Sequence, residues 1–253
     1  MNPFALTGKK ILITGASSGI GKQCAISCSQ MGATVILIGR NEENLEKIMA
    51  LLSKGDHQYY VFDVTNYSEI EDLVIDTVNK SGKVSGFIHS AGIELSLPIN
   101  VTKPEHYEVL FATNVIAGFE FAKIISKKKY ANESGSSFVF IASIMSIVGN
   151  SSLTGYSASK GAIIAGIRSL ALELADKKIR VNAISPAQIS ETKMTHDKFS
   201  LLSKENVHKI FSSHPLGLGS TEDVANGCIY LLSDASKWIT GTNLIIDGGY
   251  SAK

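Results

Sequence analysis

Short apolar runs alternate with longer stretches of helical spacing along the whole chain, and this alternation narrows the possible folds more than any other feature. The runs read K-I-L-I-T (10–14), V-I-L-I-G (35–39), Y-Y-V-F-D (59–63), G-F-I-H (86–89), F-V-F-I-A (138–142), V-N-A-I-S (181–185) and N-L-I-I-D (243–247). Most lack the in–out alternation of a half-exposed strand, so they read as strands buried on both faces. Between them, 41–53, 67–80 and 104–129 repeat their apolar residues at helical spacing. Strands alternating with helices predict a Rossmann-type α/β fold, a doubly wound parallel sheet of about seven strands with helices on both faces. No repeat, low-complexity tract or linker divides the chain, so 1–253 reads as a single domain. The segment 190–217 breaks the rhythm and is expected to form a lid over the substrate. In such sheets ligands bind at the carboxyl ends of the strands.

The first run leads directly into T14-G-A-S-S-G-I-G21 and then a helix. Gly15 suits the tight turn, Gly19 a close approach of the backbone to a pyrophosphate, and Gly21 close helix packing. Glycine is common in strand-to-helix loops, and it is the placement after strand one that points to a dinucleotide. The second run ends in Gly39-Arg40, where an NAD site usually carries an acid for the ribose diol. With no acid at Gly39 and a guanidinium at Arg40, the sequence favours the 2′-phosphate of NADP(H) over NAD(H). A solvated arginine ahead of a helix is the plain alternative. Asp63 reads equally as an acceptor for the adenine amino group and as a cap for the next turn. Ser90, Ala91 and Gly92 close the fourth run with small residues that leave room for the adenosine ribose.

The stretch from Ser143 to Lys160 carries the proton chemistry. Tyr156 and Lys160 stand four apart at the head of a helix, so their side chains share one face. A free phenol titrates near ~10, too high for ready proton exchange at neutral pH, and an adjacent ammonium should lower it. Ser143, thirteen residues earlier at the end of a strand, is placed to hydrogen-bond a substrate carbonyl. Y-x-x-x-K alone is a frequent accident on amphipathic helices, and the order strand, serine, tyrosine, lysine is what gives it weight. Asn114 lies among apolar residues, where a buried amide needs partners.

A net charge of +1 gives no general attraction to nucleic acid or anionic membranes. No apolar run reaches the roughly 18 residues of a membrane span, and M-N-P-F-A-L-T-G-K-K lacks the apolar core of a secretory signal. A cytoplasmic protein is expected. Cys24 and Cys28 read as small core residues on one helical face, without the further ligands a metal site needs.

Taken together, T14-G-A-S-S-G-I-G21, H89-S-A-G92, Asn114, Ser143, Y156-S-A-S-K160, I179-R-V-N-A-I-S-P186 and I239-T-G-T-N-L-I-I-D-G-G249 resemble the short-chain dehydrogenase/reductase family over nearly the whole chain. The resemblance implies a tetrad of Asn114, Ser143, Tyr156 and Lys160. In it Tyr156 delivers the proton, Lys160 holds the nicotinamide ribose and depresses the tyrosine pKa, Ser143 orients substrate and Asn114 holds a water. It also implies dinucleotide contacts from Gly15, Ser17, Ser18, Gly19, Ile20, Gly21, Arg40, Asp63, Val64, Ser90, Ala91, Gly92, Pro186, Ile189 and Thr192, besides Tyr156 and Lys160. The chain departs from the family pattern at His89-Ser90, where two asparagines are common, and at Ala187, where glycine is common. The stretch before Thr192 is also one residue longer than usual.

The implied activity is NADP(H)-dependent reduction of a ketone, with a 3-oxoacyl thioester on acyl carrier protein as the first substrate reading. Sugars, polyols and other small carbonyls are the alternatives. A binding protein without turnover is disfavoured because all four tetrad residues are kept. Lys177 and Lys178, with Lys127, Lys128 and Lys129, are read as the acyl-carrier dock, and Met194, Phe199, Leu201, Leu202, Ile210 and Phe211 read equally as apolar lid residues and as residues packed against the domain. The basic residues Lys193, Lys198, Lys204 and Lys209 read as the lid's solvated face. The helices 104–129 and 156–175, the latter with Gly161 and Gly166, are expected to pair across a dimer within a homotetramer.

Overall fold

The computed structural model describes residues 2–200 and 202–252. Its elements follow in the order β1 (Lys10–Thr14), α1 (Gly19–Gln30), β2 (Thr34–Gly39), α2 (Glu42–Met49), β3 (Gln58–Val61), α3 (Ile70–Ser81), β4 (Gly86–His89) and α4 (Pro104–Phe111). Then come α5 (Ala117–Ile125), β5 (Ser136–Ile141), α6 (Thr154–Glu173), β6 (Ile179–Pro186), α7 (Lys193–Ser200), α8 (Lys204–Ser212), α9 (Thr221–Leu232) and β7 (Asn243–Ile246). The seven strands form one parallel sheet in the order β3-β2-β1-β4-β5-β6-β7. The strand order therefore reverses between β1 and β4, the place where such sheets open a crevice for ligands.

Both faces of the sheet are covered, which is why most of its strands read as unbroken apolar runs. On β1, Leu12 joins the core beneath α3, α5 and α6, while Ile11 and Ile13 join the core beneath α1, α2 and α9. Phe87 and Ile88 on β4, and Phe138 and Val139 on β5, divide between the two cores in the same way, as a period of two requires. Cys24, Cys28 and Cys228 are all buried in the second core, where α1 meets α9.

Three segments differ from the sequence reading. The third strand ends at Val61, so Asp63 stands beyond it rather than closing it. The stretch 104–129 is not one helix: α4 and α5 are separated by a π turn, Ala112–Ile116, that holds Asn114. Gly166 is filled from within the chain, since a Cβ there would stand 2.4 Å from Cζ of Phe119 on α5. At Gly161 the nearest atom to such a Cβ is the Ser146 carbonyl, 4.0 Å away. In the 190–217 segment the rings of Phe199 and Phe211 meet at 6.0 Å. Leu201 and the side chains of Lys193 and Lys198 lie outside the described residues.

Candidate active site

The turn after β1 has a backbone form that could hold a phosphate. Gly15 (φ +66°) and Gly19 (φ +52°) occupy the left-handed region that side chains disfavour. A Cβ on Gly15 would come within 2.6 Å of the Ala91 nitrogen, and one on Gly21 within 2.3 Å of the Gly15 carbonyl oxygen. Only glycine lets the β1 and β4 turns and the head of α1 close on one another. Ser18 caps α1 without a side-chain hydrogen bond and no acid stands in its first turn, so the helix presents free N–H groups at its positive end. Thr192 lies over this turn, its Cγ2 3.6 Å from where a Gly19 Cβ would be. Ile189 is buried and bridges to Gly219, and Pro186 ends β6 opposite Ile246. Val64 is buried beneath the same rim.

At the end of β2, a Cβ on Gly39 would stand 3.1 Å from Ser17 Cβ, which leaves little room for an acidic side chain. Arg40 is largely exposed, with Nη1 3.9 Å from Asp63 Oδ2. Asp63 Oδ1 accepts from the Thr65 N–H at 2.9 Å and the Thr65 hydroxyl at 2.7 Å. Those bonds, with Arg40 as a smaller contributor, hold its carboxyl below the ordinary value. Asp63 thus caps its own turn and leaves Oδ2 facing the guanidinium.

His89 replaces an expected asparagine and performs a joining role. It is 1% exposed. Its Nε2 donates to the Thr113 carbonyl at 3.2 Å, and because a carbonyl can only accept, Nδ1 accepts from the Thr14 hydroxyl at 2.9 Å. Burial, helped by the charge of Lys160, pushes its pKa down to about 3. One neutral ring therefore ties the end of β1 to the π turn that carries Asn114.

Asn114 is fully buried and its amide is committed. Oδ1 accepts from the Ile93 N–H at 2.8 Å, while Nδ2 donates to the Ile93 carbonyl and to Ser159 Oγ, both at 3.0 Å. With both amide hydrogens taken, the side chain braces the loop after β4 and keeps at most a lone pair for the water that the resemblance implies. A Cβ on Gly92 would lie 3.3 Å from both Asn114 Oδ1 and Lys160 Nζ, so any larger residue would fill the space between them.

Tyr156 and Lys160 project from the first turns of α6 and are 7% and 4% exposed. Lys160 Nζ donates to the Ile141 carbonyl at 2.8 Å and sits 5.8 Å from the Tyr156 ring centroid. Burial pushes the ammonium pKa down to about 8, with the negative charge of Glu94 pulling the other way. Burial and Glu94 also push the Tyr156 phenol above its ordinary value, and a hydrogen bond with Ser143 draws part of that back. The lowering expected from Lys160 is not found: burial and Glu94 raise the phenol, and Ser143 is the group that draws it back. Ser143 caps a short turn, accepting from the Met145 N–H at 3.2 Å. Leu110, Leu153, Ile93, Leu95 and Met145 wall the phenol. A serine hydroxyl, a protonated phenol and a buried ammonium beside a phosphate-binding turn can protonate a carbonyl oxygen while a dinucleotide lies alongside.

The sequence reading missed Glu94. Its signal was an acid set between apolar Ile93 and Leu95 at the carboxyl end of a strand. The lysines read as an acyl-carrier dock lie elsewhere. Helices α5 and α6 run back along the sheet, so Lys127–Lys129 and Lys177–Lys178 follow their far ends, beside the start of β5 and β6. There Lys127 and Lys129 pair with Glu71 at 2.7 and 3.1 Å, and the Lys178 carbonyl accepts from Ser136.

A family model described as enoyl-(acyl carrier protein) reductase matches residues 15–251. A 3-oxoacyl-[acyl-carrier-protein] reductase of Thermotoga maritima is 35% identical, over 96% of this chain and 98% of its own. A glucose 1-dehydrogenase of Gluconobacter oxydans is 32% identical, over 96% and 91%. Among solved structures, a putative short-chain alcohol dehydrogenase from Sinorhizobium meliloti superposes with a TM-score of 0.92 at 29% identity, covering 99% of both chains. A 7α-hydroxysteroid dehydrogenase complexed with NADH and 7-oxo glycochenodeoxycholic acid gives 0.89 at 28%, covering 98% and 96%.

Proposed function

The chain belongs to the short-chain dehydrogenase/reductase family of oxidoreductases acting on CH–OH and C=O groups, and on that premise we propose that it uses NADP(H) to interconvert a ketone and a secondary alcohol. The observation that carries this reading is the buried group of Ser143, Tyr156 and Lys160 beside the left-handed glycine turn. When bound, the nicotinamide supplies or accepts the hydride. In the direction of reduction, the Tyr156 hydroxyl gives its proton to the carbonyl oxygen, and water later restores it. A phenol whose pKa is raised stays protonated across the neutral range and suits this donor role. Ser143 holds the carbonyl oxygen beside the phenol. Lys160 commits one hydrogen to the Ile141 carbonyl and keeps the others for the ribose hydroxyls. Gly15, Ser17, Ser18, Gly19, Ile20 and Gly21 cradle the pyrophosphate, Asp63, Val64, Ser90, Ala91 and Gly92 flank the adenosine, and Pro186, Ile189 and Thr192 meet the nicotinamide.

NADP(H) is favoured over NAD(H) by the absence of an acid at Gly39 and by Arg40. The Asp63 carboxylate beside Arg40 makes that preference moderate. For the substrate, the name of the Thermotoga relative favours a 3-oxoacyl thioester. Docking of an acyl carrier on Lys177 and Lys178 then needs those residues to come from a neighbouring subunit. A second reading, a polyhydroxylated carbonyl compound, is favoured by Glu94 and by the name of the Gluconobacter relative. We place the protein in the cytoplasm as a homotetramer. No helix among the described residues is long and apolar enough to cross a membrane, and exposed Val109, Ile116 and Leu172 give α6 and the α4–α5 region an outward apolar stripe. Light scattering that finds a monomer at micromolar concentration contradicts the tetramer. Initial rates with acetoacetyl thioesters, simple ketones and keto-sugars, each with NADPH and NADH, test the activity. No turnover of any carbonyl compound overturns it.

A further inference from the structure

The loop that leaves β4 is pinned at two places around the opening to Tyr156. At one, Ile93 exchanges two hydrogen bonds with the Asn114 amide, at 2.8 and 3.0 Å. At the other, the Leu97 N–H donates to the Ser152 carbonyl at 2.8 Å, on the loop that follows Ser143. Between these pins Ile93 and Leu95 pack against the cluster of Leu110, Leu153 and Tyr156. Glu94 stands between them, half-buried, in a segment that cannot swing away without breaking either pin. Among the described residues its carboxylate has neither a hydrogen-bond donor nor an ion-pair partner. Its charge nevertheless reaches both the phenol and the ammonium and favours the protonated form of each.

A carboxylate at the mouth of the site becomes costly when a bound substrate covers it, unless that substrate supplies a donor. An acyl chain has no donor to offer and would desolvate the charge. A hydroxylated substrate has donors on the carbons next to its carbonyl. We propose that Glu94 is a specificity-determining residue, accepting a hydrogen bond from a substrate hydroxyl while the carbonyl lies at Ser143 and Tyr156, so that this site selects polyhydroxylated carbonyl compounds and their polyols over 3-oxoacyl chains. The inference rests on Tyr156 being the proton donor, and it reverses the order of the two substrate readings.

The test uses the full-length protein and Glu94→Gln, which keeps the shape and removes the charge. Its first readout is the ratio of kcat/KM for dihydroxyacetone over acetone with NADPH. A charge-assisted hydrogen bond sets this ratio on the order of tenfold to a hundredfold higher in the unaltered protein than in the variant. Its second readout needs no turnover: calorimetric titration of sorbitol against 2-hexanol, in the presence of NADPH, should lose the same factor for sorbitol. Its third is the pH profile. The Glu94 charge raises both pKa values, so the alkaline fall in reduction should move to lower pH in Glu94→Gln. An unchanged ratio together with unchanged sorbitol affinity overturns the proposal, even if acetone and acetoacetyl thioesters are reduced well. Absence of carbonyl turnover with intact, Glu94-dependent sorbitol binding instead overturns the catalytic reading and leaves the hydroxyl subsite standing.

Discussion

One end of the sheet holds a buried cation and the other holds half-buried ones, yet only one end has the groups for proton chemistry. At the amino ends of the strands a groove of about 820 Å³ runs past Lys9, Arg180 and the nearly fully exposed Trp238. Arg180 there donates to the carbonyls of Leu231, Ser233 and Ile239 at 2.7, 3.2 and 3.2 Å, and Lys9 is taken up by Asp234 and the Leu232 carbonyl. At the carboxyl ends, among the described residues, Lys160 makes a single hydrogen bond to the protein and Glu94 makes none with its side chain. An open groove alone therefore does not mark the end equipped for chemistry. Uncommitted hydrogen-bonding capacity in a desolvated setting points to the right one, because such groups are costly to keep and persist where a ligand completes them.

The sharpest way to break this comparison is to remove one cation from each end. Lys160→Ala should lower kcat/KM by roughly a hundredfold to ten-thousandfold, the usual scale for proton-transfer machinery, and should also weaken NADPH binding. Steady-state rates and fluorescence titration check both parts. Arg180→Met should leave turnover per folded molecule unchanged and cost about 2 kcal/mol in urea unfolding, because it removes charged donors from three carbonyls that keep their other partners. If Arg180→Met instead loses activity in the folded state, the amino end is not merely structural.

His89 sharpens the comparison within the carboxyl end. Its folded pKa of about 3 lies below the ordinary 6.5, so the unfolded chain binds the extra proton. Stability should be unaffected by this ring above about pH 6.5 and should decline as pH falls from there toward about 3. Between pH 7 and pH 5 the ring's share of that loss is about 2 kcal/mol, and urea midpoints for the protein and His89→Asn should converge or cross as the pH is lowered. A parallel pair of curves contradicts the buried neutral imidazole. The smallest effect belongs to Arg40, which is exposed and already near Asp63. Arg40→Ala should raise KM for NADPH by about fivefold and leave KM for NADH nearly unchanged, the screened value of a surface charge pair. Equal kcat/KM for the two cofactors in the unaltered protein contradicts the NADP(H) reading.

Much of the fold was legible because burial on both faces writes itself into unbroken runs such as F-V-F-I-A. The glycine turn was legible because Gly15 and Gly19 hold backbone angles that other residues disfavour. Tyr156 and Lys160 were legible because helical spacing alone places them together. The π turn was not: one widened turn leaves the apolar periodicity of 104–129 nearly intact, and what it changes is the direction of Asn114. Neither was the sign of the Tyr156 shift, since desolvation depends on the walls that Leu110, Leu153 and Met145 build from three separate segments. Within one subunit the lysines of the acyl-carrier reading lie far from Tyr156, because α6 carries Tyr156 at its head while Lys177 and Lys178 follow its far end.

In the proposed mechanism Tyr156 supplies the proton at a dinucleotide site whose affinity does not depend on it. Tyr156→Phe, assayed for carbonyl-dependent loss of the NADPH absorbance band and titrated with NADPH by fluorescence, tests this in one preparation. Turnover should vanish while NADPH affinity stays within a few-fold of the unaltered protein. Retention of more than a few per cent of activity, or loss of NADPH binding together with turnover, would contradict it.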